Sequence, residues 1–153
     1  MDERVLGYVD VLGTGFRPPR YTLVVTDRRA ILAQRTKAVE AAAGAGAGGG
    51  GGLGRLLGRR PAGPPLGQRY LAMPPDAVLA ETPGNVSLAP GGVQRVELVA
   101  GETPNDDGPP TRHVLVRMVG PAGDWQLFST GEAPPIAMVR ELLRPVFGPI
   151  LLG

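Results

Sequence analysis

Cysteine is absent from the 153 residues, which excludes disulfides and thiolate chemistry from the chain and fits a reducing compartment. Aromatic residues make up only 5%, too few for a platform on which single-stranded nucleic acid would stack. Histidine occurs once, at His113. A Ser-His-Asp mechanism would have to use it, but it sits in the alternating run RHVLVRMV, where a structural place on a strand is the expected role. With one histidine and no cysteine, a metal site would need converging carboxylates. Asn105-Asp106-Asp107-Gly108 lacks the further ligands and the closing glutamate of a calcium loop and reads as a polar turn. The only lysine is Lys37, so there is no GxxxxGK[ST] phosphate loop. No apolar run reaches the roughly 20 residues of a membrane-spanning helix. The start, MDERVLGYVD, is acidic and lacks the apolar region of a signal peptide. These absences leave no catalytic, metal or cofactor constellation, and the expectation is a cytoplasmic non-enzyme.

What is present is glycine, 24 residues, and proline, 17 residues, in a chain with a net charge of +2. The length suits one domain with a real core. Much of the glycine lies in Gly44–Gly52 (GAGAGGGGG). Gly44-x-Gly46-x-x-Gly49 matches a dinucleotide fingerprint in form alone, since no strand comes immediately before it and no βαβ unit follows. Charge is unevenly placed. Residues 17–60 hold nine basic residues (Arg17, Arg20, Arg28, Arg29, Arg35, Lys37, Arg55, Arg59 and Arg60) against two acids, and the remainder is net acidic. A basic half can attract an anionic partner; the competing account is a solvated face plus a basic loop.

The stretch Arg20–Gln34 (RYTLVVTDRRAILAQ) predicts a β-hairpin. Its two apolar runs are rich in residues that suit a pleated, half-buried surface. Asp27 can accept a hydrogen bond from its own backbone two residues on, placing the turn at 27–29. Val5–Leu12 reads as a strand before it. After it, Thr36–Ala43 favours helix, and residues 44–67 read as irregular because each glycine costs helix about 1 kcal/mol against alanine. Within them, Leu53, Leu56 and Leu57 would share one stripe of a short helix, with Arg55 and Arg59 beside it. That stripe either docks on the domain or meets a membrane or a partner.

Pro74-Pro75-Asp76 opens a short helix. Further strands are expected at Asn85–Leu88, Val93–Val99 (with a bulge), Arg112–Val119 and Asp124–Ser129. Trp125 is expected in the core, and Tyr8, Tyr21 and Tyr70 half-buried. A closing helix over Pro134–Arg144 follows, with Ile136, Val139, Leu142 and Leu143 on one face and Pro145 as its stop. VFGPILLG reads as a tail.

Seven strands in two groups followed by an amphipathic helix, together with YTLVVTDRRAI and MPPDAVLAETPGNVSLAPGGVQRVEL, resemble bacterial and archaeal pleckstrin-homology-like (PH-like) proteins. The resemblance implies a mainly β (α+β) fold: a seven-stranded bent antiparallel barrel capped by a C-terminal helix. Residues 1–153 would form one domain, with a helical and glycine-rich insertion at about 36–80 between strands three and four. It implies a non-enzymatic module that binds a protein or peptide partner, including by strand addition beside the closing helix. The alternative is peripheral binding to anionic membrane lipid through the nine basic residues of 17–60, with Leu53, Leu56 and Leu57 as apolar contacts. Nucleic acid is a weaker candidate, and no cofactor is implied.

Overall fold

A computed structural model describes residues 2–41, 66–121, 123–129 and 134–153. The chain is mainly β. Its strands are β1 (Val5–Leu12), β2 (Arg20–Thr26), β3 (Ala30–Gln34), β4 (Val86–Leu88), β5 (Arg95–Thr103), β6 (Thr111–Gly120), β7 (Gly123–Ser129) and β8 (Leu151–Leu152). They form one sheet in the order β4-β3-β2-β1-β7-β6-β5-β8. The sheet is not closed, and there are eight strands rather than seven. The eighth comes from the supposed tail: a 3-10 turn over Gly148–Ile150 redirects the chain so that Leu151 and Leu152 pair in parallel with Val96 and Glu97. Two residues of parallel pairing leave no periodic signal to read.

The hairpin over β2 and β3 is as expected, with Tyr21 to Val25 paired to Gln34 to Ala30. Its turn is held differently. The Thr26 hydroxyl, not the Asp27 carboxylate, accepts from the backbone N–H groups of Arg28 (3.1 Å) and Arg29 (3.0 Å). Asp27 Oδ1 instead accepts from the Arg4 backbone N–H at 3.2 Å. Both strands are buried along nearly their whole length, which is why they read as continuous apolar runs rather than an alternation.

Each face of this hairpin meets a different core. Leu23, Val25, Ala30 and Leu32 join the main core, with Val9, Val11, Val96, Leu98, Val116, Met118 and Leu127. Val24, Ile31 and Ala33 face the other way, onto Tyr70 and Val78. Tyr70 comes from a 3-10 segment, Leu66–Ala72. Val78 comes from helix α1 (Pro75–Ala80). Part of the insertion expected at about 36–80 is thus a packed layer. Tyr70 is fully buried and Tyr21 nearly so, while Tyr8 is half-buried. Before this layer, residues 37–41 form a helical turn in which the Thr36 hydroxyl accepts from Val39 N–H at 3.1 Å, as an N-cap does.

β5 starts later than expected and pairs with β6 without a register shift from Arg95 to Thr103. No bulge is needed: Val93 precedes the strand, after a 3-10 turn over Pro90–Gly92. Helix α2 (Ile136–Phe147) closes the main core. Its buried side chains are Val139, Leu143, Val146 and Phe147. It runs through Pro145 because the proline falls in the last turn, where Val146 and Phe147 gain full burial. At about 1.5–3 kcal/mol for each large side chain, that outweighs one missing backbone hydrogen bond. Trp125 is partly buried against the same core, edge-on to Tyr21 with centroids 6.4 Å apart.

Candidate functional site

β1 is paired with β2 along its length, with a shift in register between Val5 and Gly7. On its other side, among the described residues, it meets β7 at Val11 and Leu12.

A groove of about 730 Å³ opens between β1 and α2. Leu6, Gly7, Tyr8 and Val9 form one wall, Ala137, Met138, Val139, Glu141 and Leu142 the other, and Leu71 and Pro134 complete it. Two sequence features shape it. Gly7 has no side chain, and a Cβ there would lie 2.8 Å from Leu142 Cδ1, so helix and strand approach closely at that point. α2 also carries a second apolar stripe, Met138 and Leu142, beside the buried one. Leu142, expected on the buried face, is only half-buried. Met138 is 63% exposed and Leu71 47% exposed. Among the described residues Glu141 is the single charged residue of the lining, and its carboxylate lies 2.9 Å from Arg144 Nη2 one helical turn on. Tyr8 has its pKa raised, first by burial and then by the negative charge of Asp10.

A smaller cavity of about 560 Å³ lies between the β5–β6 hairpin and the start of α2. Glu102, Arg112 and His113 line it, with Arg112 Nε 3.3 Å from Glu102 Oε1. The His113 ring meets the Phe128 ring edge-on at 5.9 Å.

The basic residues divide. Arg17, Arg20, Arg35 and Lys37 lie at one end of β2, and Arg28 and Arg29 at the other, about 20 Å away along the strand. At the first end, Arg35 lies 3.7 Å from Asp10 and 3.8 Å from Glu40, and Arg20 lies 4.0 Å from Glu40. Arg17 and Lys37 are exposed. Arg17 adopts a left-handed φ of 57° and stands over the Phe16 ring at 5.7 Å. At the second end, Arg29 is held by Glu3 and, at 2.6 Å, by Asp76. Hydrogen bonding to Glu3 raises its pKa further. Arg55, Arg59 and Arg60, and the stripe of Leu53, Leu56 and Leu57, lie outside the described residues.

Sequence reasoning did not single out Leu6, Leu71, Met138 or Glu141. A signal existed only for the helix: Met138 and Leu142, four apart, form an apolar stripe beyond what the core consumes. Among the described residues no cluster of acidic and histidine side chains could hold a metal, and no helix is long and apolar enough to cross a membrane. Comparisons with protein families, curated proteins and solved structures returned no match to this chain.

Proposed function

We propose that the chain is a non-enzymatic interaction module of the PH-like kind, which takes a peptide segment of a protein partner in the groove between β1 and α2. The observation that carries this reading is the groove itself: an apolar trough between β1 and α2 with an exposed methionine on its helix wall. Methionine is unbranched and polarizable and adapts to varied partners. Exposed apolar surface with a polar rim marks interaction sites. The strand order supports the PH-like part: two meanders, β1 to β4 and β5 to β7, meet through β1 and β7, and a helix follows the last of these strands. In this reading the work of the domain is recognition in the cytoplasm, with no group transferred and no cofactor.

The test is to pan a display library of random linear peptides against the full chain. Enriched peptides should lose about tenfold or more in affinity against Met138→Asp, the loss of one anchoring contact. They should bind Val99→Asp, altered at another exposed apolar position, as they bind the unaltered chain. Enrichment no better than on an unrelated protein would end this reading.

A second reading has one observation in its favour. Phe16 is 95% exposed on the β1–β2 loop, with the Arg17 guanidinium over its ring and Arg20 at the end of the same loop. An aromatic tip among cations suits an anionic membrane surface. Sedimentation with vesicles containing phosphatidylserine, compared with neutral vesicles, tests it: binding that survives Phe16→Ser with Arg17→Ser would count against this loop.

A further inference from the structure

We infer that two copies of this chain associate, with the Phe16 ring of one seated in the β1–α2 groove of the other and Arg17 against Glu141. This rests on the groove being a binding site, as proposed above, and names its occupant as the β1–β2 loop of a second copy.

The loop is built to hold a ring away from the domain. Its base is closed by the Gly13 N–H, which donates to the Pro19 carbonyl at 2.8 Å. A Cβ at Gly13 would lie 2.9 Å from the Pro19 ring, so the two ends of the loop approach closely. Pro18 and Pro19 fix their own φ. Arg17 has a φ of 57°. For a residue with a side chain that left-handed backbone costs about 1–2 kcal/mol, and such strain collects where a segment contacts a ligand. At the tip, Phe16 is 95% exposed, the most exposed large apolar side chain among the described residues. The ring is therefore not seated in the groove of its own chain. One wall of that groove is Leu6–Val9, and at about 3.3 Å per residue its middle lies about 15 Å from Leu12, after which the loop begins.

Ring and groove match in size, in apolar character and in charge. The groove, at about 730 Å³, has room for the ring and the backbone on either side of it, since a cavity of roughly 150 Å³ already holds benzene. It offers Met138 and Leu71, both exposed, and a thioether sulfur packs well against an aromatic ring. Burying a phenylalanine side chain stabilises by about 1.5–3 kcal/mol. The Arg17 guanidinium meets the Phe16 ring at 5.7 Å and, among the described residues, no carboxylate. Glu141 is the one charge in the described lining, one helical turn from Met138. Its ion pair with Arg144 is exposed, and such pairs contribute little. Docking the ring on Met138 thus brings a cation without a counter-charge to a weakly held anion. Ring and groove are different surfaces, so the contact is heterologous.

Sedimentation velocity of the full chain over a range of concentrations tests this. The unaltered chain should associate as concentration rises. Phe16→Ser and Met138→Asp should each weaken association about tenfold or more. Both positions are exposed, so the fold tolerates the changes. Val99→Asp, outside the loop and the groove, should associate as the unaltered chain does. An equal mixture of Phe16→Ser and Met138→Asp separates the two surfaces. The first keeps its groove and the second its ring, so one contact forms between them and assembly stops at a pair. Arg17→Glu should weaken association about tenfold, and Glu141→Arg added to the same chain should restore it. A chain that stays monomeric up to about 1 mM, association that survives Phe16→Ser or Met138→Asp, a mixture no more associated than its components, or loss of association with Val99→Asp overturns the inference. Failure of Glu141→Arg to restore Arg17→Glu overturns the pairing of the two charges. Library peptides that enrich on a chain that does not associate leave the groove as a peptide site and remove only this occupant. No enrichment together with no association removes both.

Discussion

Arg29 and Glu3 meet through two parallel contacts: Nε lies 2.9 Å from Oε1 and Nη2 lies 2.9 Å from Oε2. The pair is largely shielded, with side chains 18% and 14% exposed. It is also a junction. Glu3 Oε1 accepts from the Thr26 hydroxyl at 2.6 Å, and Arg29 reaches Ser87 on β4 at 3.3 Å and Asp76 on α1 at 2.6 Å. One guanidinium therefore ties the segment before β1, the β2–β3 turn, β4 and α1 together. Replacing Arg29 by alanine strands Glu3 without its counter-charge and should cost about 2 kcal/mol, less than for a fully buried pair because the rim is wet. Arg29→Lys should recover only part of that, since an ammonium cannot reproduce the two-pronged geometry. Urea midpoints measure both. A lysine variant as stable as the original chain would show that the fork geometry contributes nothing.

Leu142 and Leu143 are neighbours on α2 with different roles, and truncation should separate them. Leu143 is fully buried in the main core. Leu143→Ala should cost about 2–5 kcal/mol, as buried leucine truncations do. Leu142 is half-buried over Gly7, at the groove, so Leu142→Ala should cost about 1 kcal/mol and weaken peptide capture more than it weakens the fold. Equal destabilisation by the two changes would mean that Leu142 belongs to the core and not to the groove.

His113 has an edge contact with Phe128 and lies outside the groove between β1 and α2. His113→Ala should leave peptide capture within about twofold of the unaltered chain, because a residue outside the contact carries little binding energy. A hydrolytic activity that appeared in the purified chain and vanished with this change would instead make His113 a reactive group.

Much of the fold was legible because it follows from local pattern. The β2–β3 hairpin, the strands after it and the amphipathic closing helix each carry their own periodicity or turn residues. The departures are places where tertiary packing decided. Pro145 ends a helix on local grounds, yet burial of Val146 and Phe147 carries α2 past it. The run of Tyr21–Val25 announces burial but not by what, and the covering residues Tyr70 and Val78 lie more than forty positions away. Thr26 took the turn because its hydroxyl also reaches Glu3, a contact no local rule contains. The groove was least visible. It depends on how closely α2 approaches Gly7, which is not written in one segment. Only Met138 and Leu142, surplus to the core stripe, hinted at it. The basic residues were visible as a cluster in sequence, but those among the described residues lie at the two ends of β2.

Tyr70 ties stability to alkaline pH. Its side chain is fully buried, its hydroxyl donates to Glu81 Oε2 at 2.8 Å, and the Arg69 guanidinium stands over its ring at 5.2 Å. Burial raises its pKa, with the positive charges of Arg69 and Arg35 opposing and Asp10 adding to the rise. The phenolate is thus disfavoured in the folded chain, and the unfolded chain gives up this proton first as pH rises. The stability that results is fully present below pH about 10, the value for a free phenol, and is lost as pH climbs from there through the higher folded value. Tyr8 is shifted in the same direction and adds to the slope. Tyr70→Phe removes the bond to Glu81 and should cost about 1 kcal/mol at neutral pH. The variant should then lose stability less steeply than the original chain above pH about 10. Urea midpoints across that range give both slopes, and a variant curve parallel to the original throughout would show that Tyr70 does not titrate with unfolding.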